Sequence, residues 1–247
     1  MFGFRLSVKQ VAGVLLAASM ASGAVAVEAQ AQTTRHTRRE SSANRKSRIE
    51  RTIAETYGHR FEVAGGGGYL RFQPGSTLQK NNEVTFFMTG TYFLNPKLGI
   101  IGDIRGAYGN AKIGDPVTPT SPFLNFKPQI SEYPFMGGVA YRLYAKEKIA
   151  VTVTGEGGAA IGKFDGDLKG FQSKDFGLWV SATKPVFSIG ANIDYNFYPN
   201  LAFRVSPTYV GTFFRLDPAD TLHGSPGTIQ NNFGFNMGLV YRFGKIK

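Results

Sequence analysis

Asn232-Phe233-Gly234-Phe235-Asn236-Met237-Gly238-Leu239-Val240-Tyr241-Arg242-Phe243 is the stretch that decides the fold. Its odd positions are all large and apolar or aromatic, and its even positions are Asn, Gly, Asn, Gly, Val and Arg. Alternation with period two makes a β-strand with one apolar and one polar face. The same rule recurs upstream. Phe187, Ile189, Ala191, Ile193, Tyr195 and Phe197 share one side of a segment whose other side is Ser188, Gly190, Asn192, Asp194 and Asn196. Ile149, Val151, Val153, Ala159 and Ile161 oppose Thr152, Thr154 and Glu156; Val84, Phe86, Met88, Tyr92 and Leu94 oppose Thr85, Thr89 and Thr91. Only Phe87 and Phe93 break the last pattern, by falling on its polar side.

The N-terminus reads as an export signal rather than as part of the fold. Arg5 and Lys9 form a basic start, residues 11–18 an apolar run, and Ala29-Gln30-Ala31 a cleavage site, with Ala24-Val25-Ala26 as a second candidate. The alternative, an uncleaved anchor helix, requires a longer run than one broken by Ser19, Ser22 and Gly23. The domain plan is a signal peptide at 1–31, a basic and largely disordered periplasmic leader at 32–59, and one β-domain at 60–247. There is no cysteine, which excludes disulfides, thiolate metal sites and a cysteine nucleophile. Glycine (31 residues) and aromatics (13%) are abundant, while charge is low at 18%. With no mature run of about 20 apolar residues, any membrane crossing must be made by a closed barrel.

The net charge of +11 is concentrated. Arg35, Arg38, Arg39, Arg45, Lys46, Arg48, Arg51 and Arg60 face only Glu40, Glu50 and Glu55 in the leader. Behind an export signal such a run points away from nucleic acid. It reads as a solvated tail, or as a contact for anionic envelope polymer or lipid headgroups. Residues 47–56 can form a short helix, with little expected for it to pack against.

Eight strands are predicted, at 60–72, 82–95, 98–110, 131–145, 148–164, 183–198, 200–215 and 230–243. Three connections are tight (Asn95-Pro96-Lys97, Ala145-Lys146-Glu147-Lys148 and Tyr198-Pro199-Asn200) and four are long (73–81, 111–130, 165–182 and 216–229). The long ones carry turn residues such as Pro74-Gly75, Asp115-Pro116 and Ser225-Pro226-Gly227. Short turns thus gather at one end and long loops at the other. That is the plan of an all-β, eight-stranded antiparallel up-and-down transmembrane β-barrel with short periplasmic turns and long extracellular loops.

A soluble barrel would put its apolar face inward and lysines outward. Here the polar face carries Glu62, Asp103, Glu156 and Asp194 with Arg105, Arg142, Arg204 and Arg242, a balanced set suited to an enclosed network. A turn centred on Pro199 puts Asp194 across from Arg204. Closure of the first strand on the last brings Glu62 to Arg242. Asp103 and Arg105 are expected to face Arg142, with Glu156 next along. The network is either a polar constriction in a pore or a packed core, and the bore of an eight-stranded barrel is just wide enough for side chains to fill. Aromatics band both ends: Tyr92, Tyr141, Tyr144, Tyr195, Tyr198, Tyr241 and Phe243 near the short turns, and Tyr69, Tyr108, Tyr133, Phe135, Phe187, Phe213 and Phe233 near the long loops.

Asn236-Met237-Gly238-Leu239-Val240-Tyr241-Arg242-Phe243 resembles the assembly signal of outer-membrane proteins, with Asn236, Gly238, Tyr241 and Phe243 at its polar, glycine and two aromatic positions. Four residues follow Phe243, whereas the family usually ends on the aromatic. Residues 60–243 as a whole resemble the small OmpA/OmpX-type barrel family. That resemblance implies residence in the bacterial outer membrane, contact with outer-membrane lipid, and handling by the barrel-assembly machinery during insertion.

Catalytic chemistry finds little purchase. His36, His59 and His223 are the only histidines and share no metal-ligand spacing. His223 with Ser225 is the one candidate pair for a lipid-modifying enzyme. Asp165-Gly166-Asp167 is half a calcium loop, and Gly65-Gly66-Gly67-Gly68 lies in a strand without phosphate-loop context. No catalytic residue, metal or cofactor is assigned. Three readings stand: a structural or surface-interaction barrel whose long loops meet an extracellular ligand, a narrow channel for ions or small solutes, and a lipid-modifying enzyme. A monomer that binds no nucleic acid is expected. Phe123, Phe126, Phe171 and Trp179 are expected to be exposed loop aromatics.

Overall fold

The computed structural model describes residues 41–112, 127–168, 170–216 and 229–246. The export signal at 1–31, most of the leader, His36, Phe123, Phe126, His223 and Ser225 lie outside the described residues. The chain divides into two units, 1–45 and 46–247. Helix α1 (Ser42–Tyr57) begins in the first unit and continues in the second.

Eight strands follow: β1 (Phe61–Phe72), β2 (Asn81–Phe93), β3 (Leu98–Asn110), β4 (Gln129–Ala145), β5 (Ile149–Gly166), β6 (Ala182–Tyr198), β7 (Leu201–Thr212) and β8 (Gln230–Phe243). Each pairs antiparallel with its sequence neighbours, and β1 pairs with β8 from Phe61↔Phe243 to Arg71↔Phe233, so the sheet closes. Closure leaves no edge strand with unpaired amides. The seventh strand ends three residues short of its predicted end. There the Gln230 side chain takes over the pairing, accepting from the Phe214 amide (2.8 Å) and donating to its carbonyl (3.0 Å).

Alternation sets the faces. In β2 every second residue from Asn81 to Phe93 is buried and each intervening one exposed. Phe87 and Phe93, on the polar side of the pattern, point into the bore. The outward residues form an apolar surface: Val84 is 72% and Leu143 63% exposed, with Met88, Ile100, Ile104, Val139, Ile189 and Leu239 beside them in the band. A belt of this extent exceeds what a water-soluble monomer exposes, and it matches the lipid-facing band of a barrel whose interior is polar.

Glycine is required at particular contacts. Gly66 on β1 pairs with Gly238 on β8, and a side chain on either would collide with the opposing backbone. On the outer surface the Phe86 ring covers Gly106, its direct partner on β3, and the Phe187 ring covers Gly211, its direct partner on β7.

Candidate functional site

The barrel interior is layered. At the short-turn end Arg204 donates Nε to Asp194 Oδ1 (2.7 Å) and Nη2 to Asp194 Oδ2 (2.8 Å), and its Nη2 also reaches Glu62. Arg242 donates Nε to Glu62 Oε2 (2.9 Å), Nη2 to Asp194 Oδ2 (2.7 Å) and Nη1 to Asn196 Oδ1 (2.8 Å). Arg142 lies 3.5 Å from Glu62 and donates to the Pro96 carbonyl (2.7 Å). Two carboxylates are thus shared among three guanidiniums, whose planar forks suit such bridging. All five side chains are buried.

Helix α1 contributes the cap on this layer. Tyr57 is buried; its hydroxyl donates to the Lys146 carbonyl (2.7 Å) and accepts from Asn196 Nδ2 (2.8 Å). The Arg142 guanidinium makes cation–π contacts with both the Tyr57 ring (4.7 Å) and the Phe93 ring (4.2 Å). The helix is longer than the 47–56 segment expected from sequence. It does have a packing face towards its C-terminal end, where Thr56 and Tyr57 are buried and Ile49, Thr52 and Ile53 half-buried on an otherwise exposed helix. Burial raises the Tyr57 pKa, partly offset by the Asn196 bond and by Arg242 and Arg142. The neutral hydroxyl therefore contributes its stability in full below the ordinary tyrosine value of 10.0, and loses it as pH climbs through the raised value. Tyr57→Phe is expected to cost about 0.5–1.5 kcal/mol in denaturant unfolding at neutral pH. An unchanged midpoint would mean that the bond to Lys146 contributes nothing.

The middle layer is a second cluster. Arg105 donates Nε to Asp103 Oδ2 (2.7 Å) and Nη1 to Thr208 (3.3 Å), with Glu156 at 3.7 Å. The expected proximity of Arg142 to Asp103 and Arg105 does not occur. Asp103 pairs with Met136, six residues further up β4, while the Arg142 amide bonds to the Lys97 carbonyl at the short turn.

The long-loop end is sealed by apolar side chains. Phe72, Phe164 and Phe214 are fully buried against one another, with centroid separations of 6.0 Å (Phe72–Phe164), 6.4 Å (Phe72–Phe214) and 5.0 Å (Phe164–Phe214). The β5–β6 connection folds over them, placing Leu178 and Trp179 in the same core. Trp179 is therefore not an exposed loop aromatic; its indole N–H donates to the Gln73 carbonyl (2.6 Å) and its amide to the Pro74 carbonyl (3.0 Å). Phe171, in contrast, is exposed. Between the layers a cavity of about 20 Å³, lined by Leu70, Thr85, Arg105, Glu132, Thr208 and Asn236 among others, has room for about one water.

Two inward acids were missed in sequence, Glu83 and Glu132, both buried. The buried ionisable side chains thus number six carboxylates (with Glu62, Asp103, Glu156 and Asp194) against the four guanidiniums Arg105, Arg142, Arg204 and Arg242, and the set is not balanced. Face parity alone would have found them, since Glu83 lies between Asn81 and Thr85, and Glu132 between Ile130 and Pro134. Among the described residues no three His, Cys, Asp or Glu side chains cluster as metal ligands. His59 bonds locally to the Thr56 carbonyl (3.1 Å).

The residues of the assembly-type signal divide between the faces. Asn236 points inward and accepts from Thr85 Oγ1 (2.7 Å), and Gly238 lies in the close β1–β8 seam. Tyr241 and Phe243 are exposed and stacked on each other, and Phe243 stacks on Phe61 (5.3 Å).

No family model matches the chain, and no curated protein matches it in sequence. Among solved structures the chain is similar to neisserial surface protein A, with 13% identity and a TM-score of 0.51, covering 74% of this chain and 97% of that one. Outer membrane protein OprG from Pseudomonas aeruginosa aligns at 12% identity and a TM-score of 0.48, over 76% of this chain and 98% of that one. Ail, the attachment invasion locus protein of Yersinia pestis, aligns at 17% identity and a TM-score of 0.42, over 75% and 99%. The likeness to neisserial surface protein A is one of fold, and it agrees with the closed ladder, the strand count and the apolar outer belt. The chain has the fold of the small eight-stranded outer-membrane β-barrels.

Proposed function

We propose that this protein is an integral outer-membrane barrel with a structural or surface-interaction role, and that it does not conduct. The observation that carries the reading is the filled bore. An ion-paired layer capped by Tyr57 occupies the short-turn end, and an apolar core roofed by Trp179 occupies the long-loop end. In this reading the short turns are periplasmic, residues 1–31 direct export, and the tail from Asn236 to Phe243 is recognised by the assembly machinery. The outer belt contacts lipid, and the long loops meet an extracellular ligand. The molecule acts as a monomer without a catalytic role, and helix α1 with its arginines lies on the periplasmic side.

Planar-bilayer recording of the refolded, full-length protein tests this. The expected result is no stepwise conductance. Reproducible openings whose size changes on substitution of Arg142 or Glu156 would overturn the filled-bore reading and establish a channel.

A further inference from the structure

Glu83 and Glu132 are the buried carboxylates for which the described residues supply no ion-pair partner. They lie on β2 and β4, on either side of β3. The inward positions of β3 between them are Ala107, which pairs with Glu132, and Gly109. A Cβ placed on Gly109 would come within 2.7 Å of Glu83 Cγ and 3.0 Å of Asn81 Nδ2. Asn81 and Glu83 therefore lie together over β3 at Gly109, two residues along from Ala107, the β3 partner of Glu132. Asn81 donates Nδ2 to Glu83 Oε1 (3.4 Å), so its amide oxygen belongs to the same cluster.

Among the described residues, three buried oxygens here find no hydrogen-bond partner: Asn81 Oδ1, Glu83 Oε2 and Glu132 Oε1. Their residues are 3%, 1% and 2% exposed. A desolvated carboxylate must be neutralised or paired. The buried ionisable side chains of the bore comprise six carboxyl groups against four guanidiniums, so two carboxyls exceed the available cationic partners. The half-buried Lys184 makes no ion pair with either glutamate among the described residues. The unpartnered groups are carboxylate and amide oxygens, which select a hard cation over a transition metal.

We propose that Asn81, Glu83 and Glu132 form a binding site for one divalent cation of the calcium type, inside the barrel at its long-loop end. A charge of +2 there compensates the two glutamates that no guanidinium pairs with, once the ion is bound. Calcium suits the site better than magnesium because it accepts irregular oxygen arrangements, whereas magnesium demands a near-ideal octahedron and sheds water reluctantly.

The test is calorimetric titration of calcium chloride into refolded, chelator-stripped full-length protein in detergent, with thermal melts run beside it. Wild type is expected to show one saturable site and a calcium-dependent rise in melting temperature. Glu83→Gln and Glu132→Gln are each expected to weaken binding at least tenfold, and the double variant to lose both the site and the melting shift. These variants keep shape and remove buried charge, so they should fold; heat-modifiable gel mobility checks this. Absence of saturable calcium binding in wild type would overturn the proposal. So would unchanged affinity in the double variant, which would put the ion on loop carboxylates such as Asp165 and Asp167. If the double variant does not fold, Asn81→Leu carries the test, and undiminished affinity there overturns the site.

Discussion

Arg204→Ala is expected to destabilise the barrel by about 3–5 kcal/mol. Arg204 is 2% exposed and is held by both buried acids of the short-turn layer, with two bonds to Asp194 and one to Glu62. Among the described residues, its removal leaves Asp194 with only the Arg242 ion pair, and Glu62 with Arg242 and a more distant Arg142. The loss therefore comes from stranding charge away from water, more than from the attraction that disappears. Denaturant unfolding followed by the difference in gel mobility between folded and boiled protein measures it. Arg204→Ala combined with Asp194→Ala should recover part of the loss, because the second change removes the stranded charge. A cost below about 1 kcal/mol would show that the layer is hydrated rather than buried.

Phe164→Ala is expected to cost a similar amount, about 3–5 kcal/mol, by a different route. Phe164 is fully buried, stacked on Phe72 at 12° and meeting Phe214 edge-on at 76°. Gly162, two residues earlier on the same face, leaves room for both the Phe164 and Phe214 rings. Truncation opens a cavity that three rings and a closed β-ladder cannot collapse to fill. Phe164→Leu should cost clearly less, since most of the volume remains. The same unfolding assay decides it, and equal costs for alanine and leucine would mean that ring shape, not volume, holds the plug.

Much of the fold was legible because a period of two is hard to mistake. Strand limits came out within three residues, and the alternation told inside from outside. The charge pairs were legible where register is fixed, by closure of β1 on β8 for Glu62 and Arg242 or by a short turn. Pro199 lies at a tight connection, so counting outward from it puts Asp194 across from Arg204, and the structure pairs them. β3 and β4 are joined instead by a long loop, which leaves their offset open, and counting placed Arg142 beside Asp103 when it lies six residues away along β4. Trp179 was missed for a related reason. It reaches the core from a connection that carries no periodicity, after a 3-10 turn (Ser173–Phe176). Tyr57 differs: Ile49, Ile53 and Tyr57 recur every four residues on one helix face, a stripe that was in the sequence but does not say what it packs against.

The two rings laid over glycines have a consequence for how the strands find one another. Sliding a strand by one residue turns its apolar face into the bore and is punished at once, but sliding it by two leaves inside and outside intact. Such an even-numbered misalignment would still satisfy hydrophobicity. It would unseat Phe86 from Gly106 and Phe187 from Gly211, driving each ring against a residue with bulk. The β2–β3 and β6–β7 seams lie diametrically across the closed ring of strands, four seams apart in either direction. Two small steric keys, one on each flank, thus proofread the alignment that polarity alone leaves ambiguous.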